Sequence, residues 1–98
     1  MRNRCECRLT VIGVKQDVAA FQRSHWLIQL QGRYQDPLEL SPRRFVCVFE
    51  TDGHDLSRLQ KLSRRWPGLV FLLDYEVRRI KGLAKAKGGE LEHCEIGY

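Results

Sequence analysis

Few side chains in this chain could do chemistry, and the cysteines come first. Cys5 and Cys7 are one residue apart, while Cys47 and Cys94 stand far along the chain. Such a set suggests a metal site, a disulfide or a reactive thiol. Strong zinc patterns pair cysteines in C-x2-C knuckles or with spaced histidines, because both ligands must reach one tetrahedral ion. On an extended strand C-x-C puts both side chains on one face, with backbone positions about 6.5–7 Å apart. That spacing opposes a shared ion unless the strand bulges. His93 and Cys94 are adjacent, so on a strand only one of them could join such a site. The other histidines, His25 and His54, sit in unrelated settings, and no iron–sulfur spacing is present. A reactive thiol needs a basic neighbour and partial exposure; Arg4, Arg8 and His93 are weak hints of one. Tyr75 and Glu76, with Glu90, Glu92 and Glu95, are the residues that acid–base work would draw on. Glu90 and Glu92, however, share a strand face as exposed residues commonly do. The reading is therefore no catalytic residue, no metal ligand and no cofactor, with reduced, structural thiols.

Composition sets the frame for those residues. The chain has 98 residues, 43% of them hydrophobic, which fits one globular domain over 1–98. No apolar run reaches the length of about 18 residues that a membrane helix needs. No apolar h-region follows "MRNRCECR", so no secretory signal is read and a cytoplasmic location is expected. The net charge is +5, and the bases cluster. Between Arg58 and Lys87 stand Arg58, Lys61, Arg64, Arg65, Arg78, Arg79, Lys81, Lys85 and Lys87, opposed only by Asp74 and Glu76. Such a local excess forms either a solvated face or a patch for acidic partners or nucleic acid.

The elements that must position these residues follow from periodicity. Arg4 to Ile12 alternates, with Cys5, Cys7, Leu9 and Val11 on one face, and predicts a half-buried strand ended by Gly13. Lys15 to about Trp26 has apolar residues at helical spacing. From Leu27 to Arg44 the pattern is mixed: "LIQLQGRYQ" either extends the helix or starts a strand before Gly32, while "QDPLELSPRR", with Pro37 and Pro42, predicts a loop with "LEL" a short extended piece; a ligand site would be sought in this long segment. "FVCVFET" from Phe45 to Thr51 is apolar on both faces and predicts a covered strand. The next helix has Asp52 or Asp55 as cap, Leu56, Leu59, Leu62 and Trp66 as its buried stripe, and Pro67-Gly68 as its stop. Leu69 to Val77 predicts a third strand. Lys81–Lys87 and Glu90–Ile96 are the arms of a hairpin around Gly88-Gly89. The order β-α-β-α-β-β predicts an α+β ferredoxin-like two-layer plait, an antiparallel sheet with two helices on one face and a C-terminal hairpin.

Two stretches also resemble the YubB-type ferredoxin-like domains, small bacterial, plasmid and phage proteins without an assigned activity. One is Cys5 with "LTVIG" and the following "DVAAF". The other is "FVCVFET", a leucine-rich helix and "WPGLVFLLDYE", with Gly82 and Gly89 after it. The resemblance covers roughly half the chain and implies the plait fold but no chemistry.

Two functions then stand open. If the helices cover one sheet face, the other shows Ile12, Val46, Val48, Val70 and Leu72, an apolar patch of the kind that marks a partner surface or a homodimer. The expected function is thus a non-enzymatic protein-interaction or oligomerisation module. The alternative is weak, sequence-indifferent nucleic-acid binding, with Arg58, Lys61, Arg64, Arg65, Arg78, Arg79 and Lys81 as phosphate contacts. Phe45, Phe49, Phe71 and Tyr75 are assigned to the core, so no aromatic platform for stacking bases is expected.

Overall fold

The computed structural model describes residues 4–97. The first strand, β1 (Arg4–Ile12), buries Cys5, Cys7, Leu9 and Val11 as its alternation requires. Helix α1 (Lys15–Gln22) turns Val18 and Phe21 inward. It ends sooner than its apolar spacing predicts. The Ser24 hydroxyl donates to the Phe21 carbonyl at 2.6 Å, a local bond that competes with continuing the helix. Trp26 then opens a short second helix, α2 (Trp26–Gln29). Phe21 sits at the centre of the aromatic core, with ring centroids of Trp26, Trp66 and Phe71 at 5.4–5.6 Å.

The segment read as a long loop forms a strand, β2 (Arg33–Ser41), paired with β3 (Arg44–Asp52). Pro37 does not prevent this, because β2 is a sheet edge and needs hydrogen bonds on one side only. The pairing is irregular on either side of Asp36-Pro37, with register shifts between Arg33 and Asp36 and between Pro37 and Glu39. Helix α3 (Leu56–Arg65) is capped by Asp55, whose carboxylate accepts the Ser57 N–H at 3.0 Å. It buries Leu59, Leu62 and Ser63. Strands β4 (Val70–Val77), β5 (Ile80–Lys87) and β6 (Glu90–Gly97) complete the chain. Gly88 and Gly89 both take positive φ (58° and 87°), as the two-residue β5–β6 turn requires.

All six strands join one antiparallel sheet in the order β2-β3-β1-β4-β5-β6. This corrects the expected ferredoxin-like plait: the strand count, the strand order and the third helix all differ. The prolines concealed β2, and both arms of the hairpin lie in the sheet as full strands. The coarser class stands, helices packed on an antiparallel sheet. Strand β1 pairs antiparallel with both β3 and β4, so those two run parallel with β1 between them, and α3 makes the crossover. The helices share one face of the sheet with Phe45, Phe49, Phe71, Leu73 and Tyr75 in a single core. Among the described residues no helix is long and apolar enough to cross a membrane.

Candidate functional site

The sheet face away from the helices is set by register. Side chains on it alternate with the core row, so each cross-strand row can be followed from β3 to β4, and three of them on to β5. Ile12 lies between Arg44 and Val70, and Thr10 between Val46 and Leu72. The next row holds Val48, Arg8, Asp74 and Leu83. In the last, Glu6 stands between Glu50 and Glu76, with Lys81 beyond. The face therefore has an apolar end and an acidic end. Directly opposed side chains in adjacent strands lie only about 5 Å apart at Cβ, so three glutamates across β3, β1 and β4 repel one another. Part of that repulsion is offset at one end, where Arg4 Nε lies 3.3 Å from Glu50.

Strand β2 turns this end of the face into a groove. Tyr34 takes a positive φ of 59°, inside the first register shift, and Leu38 falls at the second. Both line an open groove of about 840 Å³ that also takes in Val48, Arg8 and Lys81. Its carboxylates are Glu6, Asp36, Glu50, Asp74 and Glu76, five acids against the two bases, in a chain whose net charge is +5. Tyr34 is 75% exposed and Leu38 50%. The Arg33 guanidinium lies 5.8 Å from the centre of the Tyr34 ring, a cation–π contact, and also pairs with Asp52 at 2.8 Å.

A second polar cluster lies on the helix side of the same end of the sheet. Cys5 and Cys7 bring their sulfurs within 3.7 Å. Their side chains lean together despite the backbone spacing that argued against a shared site. Cys7 also approaches the Thr51 hydroxyl at 3.9 Å, and that hydroxyl donates to the Gly53 carbonyl at 2.6 Å. The hydrogen bond from Cys7 holds Cys5 below the ordinary thiol range; the same bond, with burial, pushes Cys7 above it. Cys47 is also buried, which raises its thiol to about 11. The sulfurs of different strands do not gather. Among the described residues no group of three or more histidine, cysteine or acidic side chains is placed to hold a metal ion.

Beside the cysteine pair, Tyr75 extends its ring over Gly82, where a Cβ would collide with it, and donates its hydroxyl to Glu95 at 2.8 Å. His54 stacks on the Tyr75 ring at 4.9 Å and places Nε2 3.0 Å from the same Glu95 oxygen. Burial raises the Tyr75 phenol well above its usual range, with Glu95 adding to the effect. The hydrogen bond from Tyr75, and His54 beside it, hold the Glu95 carboxyl low. This arrangement ties the β3–α3 loop, β4 and β6 together.

The structure distributes the residues singled out from sequence unevenly. Of the candidate partner face, Val48, Val70 and Leu72 are half-buried and Ile12 is exposed, but Val46 is only 5% exposed and offers little surface. The basic set is dispersed. Arg58, Lys61, Arg64 and Arg65 lie on α3, and Arg58 is 3.9 Å from Asp55. Arg78 and Arg79 form the β4–β5 turn. Lys81 projects onto the opposite face of the sheet from α3, into the groove. The acid row was not found from sequence, and Tyr34 and Leu38 were not singled out, although both lie in the segment from Leu27 to Arg44 where a ligand site was sought. Glu6, Glu50 and Glu76 are far apart in the chain, and only the register of β1 between β3 and β4 aligns them. No family model, curated protein or solved structure matches the chain, so the site is read from its own chemistry.

Proposed function

We propose that the chain is a protein-docking module whose open sheet face takes a short lysine- or arginine-bearing segment of another protein. The observation that carries this reading is the groove's charge, five acids to two bases in a basic chain. Cross-strand like charges destabilise a sheet. A cationic side chain placed over Glu50, Glu6 and Glu76 would relieve that repulsion. Tyr34, Leu38 and Val48 supply apolar walls for the stems of the same side chains. A volume of about 840 Å³ lies in the range of sites that take drug-sized molecules, so a few residues of a segment fit the groove and a whole domain does not. The half-buried Val70 and Leu72 continue the surface beyond the groove.

Fluorescence anisotropy with a labelled peptide of alternating lysine and valine tests this. Binding is expected at low ionic strength, weakened near 1 M salt, where the screening length falls to about 3 Å. The Glu6→Lys variant should abolish it. A peptide of alternating glutamate and valine and a mixed-sequence single-stranded DNA are the comparison ligands. Absence of lysine-peptide binding at low salt contradicts the proposal. So does a lysine peptide that binds Glu6→Lys as well as the parent. DNA binding lost on Lys61→Glu with Arg65→Glu, in the absence of lysine-peptide binding, would replace docking by nucleic-acid recognition through α3. Salt-sensitive self-association seen by light scattering, again without peptide binding, would make a second copy the occupant.

A further inference from the structure

Cys5 and Cys7 bracket Glu6, and this places a thiol pair directly behind the central carboxylate of the acid row. We propose that Cys5 and Cys7 are a peroxide-oxidisable dithiol, and that closing their disulfide displaces Glu6 from the open face. The inference about the disulfide stands on the thiol geometry alone; its effect on docking rests on the reading of the groove given above.

The geometry has three parts. The sulfurs are already 3.7 Å apart, in contact but unbonded. Cys5 is fully buried and Cys7 is 6% exposed. Cys7, with Thr51 and His54, borders a small pocket of about 30 Å³, room for one molecule the size of water or hydrogen peroxide. Peroxide is thus the oxidant that fits, whereas a bulky disulfide reagent does not.

At rest the hydrogen bond keeps the proton on Cys7 and the thiolate on Cys5; as peroxide enters the pocket that Cys7 borders, this proton passes to Cys5 and Cys7 becomes the attacking thiolate. That sulfur attacks one peroxide oxygen; the S–O bond forms, the O–O bond breaks, and the departing hydroxide takes a proton and leaves as water. Cys7 is then a sulfenic acid. The Cys5 sulfur attacks the Cys7 sulfur; the S–S bond forms, the S–O bond breaks, and the hydroxide leaves with the Cys5 proton as a second water. Two thiols lose two electrons, and one peroxide becomes two waters.

Closure has a mechanical consequence. Residues i and i+2 of a strand are about 6.5–7 Å apart at Cα, at or beyond the upper limit for a disulfide. The strand must shorten between Cys5 and Cys7, and Glu6 moves out of the ladder as a bulge. Its place between Glu50 and Glu76 is then lost. A strained disulfide is also readily reduced, which makes the change reversible.

The test uses the full chain with Cys94→Ser, which removes the exposed thiol. After hydrogen peroxide and alkylation, trypsin should release Cys5-Glu6-Cys7-Arg8 lighter by two hydrogens and unalkylated, and dithiothreitol should restore it. In Cys5→Ala treated with peroxide and then unfolded in urea with dimedone present, the reagent should trap a sulfenic acid on Cys7. Sulfinic or sulfonic acid in place of the disulfide, a disulfide to Cys47, or unchanged thiols would overturn the proposal. So would a Cys5→Ala protein that folds, by its circular dichroism, and takes no dimedone. The oxidised protein should bind the lysine peptide up to about fivefold more weakly, the scale of one exposed charge pair. Equal affinity in both states would overturn the link to Glu6. If the disulfide forms but the peptide binds neither state, the docking reading fails and the dithiol survives.

Discussion

Glu6 carries two opposing demands. It stands between Glu50 and Glu76 on adjacent strands, so its charge works against the fold. Replacing it by glutamine keeps the strand and removes the repulsion. The expected outcome is a gain of about 0.2–1 kcal/mol in stability, seen as a higher denaturation midpoint at unchanged slope, together with weaker lysine-peptide binding. A residue whose neutralisation stabilises the chain but weakens binding is behaving as a docking residue. The sequence showed Glu6 as the polar residue between two inward cysteines. It could not show the company Glu6 keeps, because that depends on which strands flank β1. Tyr75 is the other informative residue. Its hydroxyl is spent on Glu95, and its phenol is raised by burial. A folded-state value above the unfolded one means that folding retains a proton which the unfolded chain releases. The stability this group contributes is whole below about pH 10 and declines as pH rises beyond it. Urea unfolding across that range should show the decline, and Tyr75→Phe should flatten it. Glu95 acts with the opposite sign: its lowered value makes its contribution present at neutral pH and lost on strong acidification.

The elements were legible from sequence where one period dominated. Alternation in β1, the two apolar faces of β3 and the leucine stripe of α3 gave those elements to within a residue or two. β2 was hidden because an edge strand tolerates the prolines and register shifts that usually signal a loop. α1 ended early through a serine hydroxyl bond that apolar spacing does not reveal. The β5–β6 hairpin was read correctly as a hairpin, but how it is held was not. Its tip is fixed to α3 by side chains that look like surface residues in a helical repeat. Gln60 donates to the Gly89 carbonyl at 2.8 Å, and the Ser63 hydroxyl accepts the Gly89 N–H at 2.9 Å. Ser63 also donates to the Gln60 carbonyl at 2.7 Å. Ser63→Ala keeps the helix and removes one of the two anchors. A loss of about 1 kcal/mol in stability is expected, with faster amide hydrogen exchange in β5 and β6 than in β1. Unchanged exchange at Gly89 would show that the turn holds itself.

At the scale of the molecule, the fold separates three chemistries that the sequence interleaves. The helices and the aromatic core close one face of the sheet. The basic residues of α3 lie on that side, while the acid-lined groove opens on the other. β1 joins the two, with the cysteine pair on the closed side and Glu6 on the open side. Charge along the chain suggested only a basic protein; the acidic site emerged from topology, because β1 lies between β3 and β4. The most direct test of docking is therefore one of place. Amide chemical shifts of the isotope-labelled chain, followed while an unlabelled peptide of alternating lysine and valine is added, report which face it meets. Saturable shifts centred on Glu6, Val48, Glu50 and Glu76, with α3 unmoved, are the expected result. Shifts centred on α3, or none at peptide concentrations that saturate the anisotropy signal, would contradict docking in the groove.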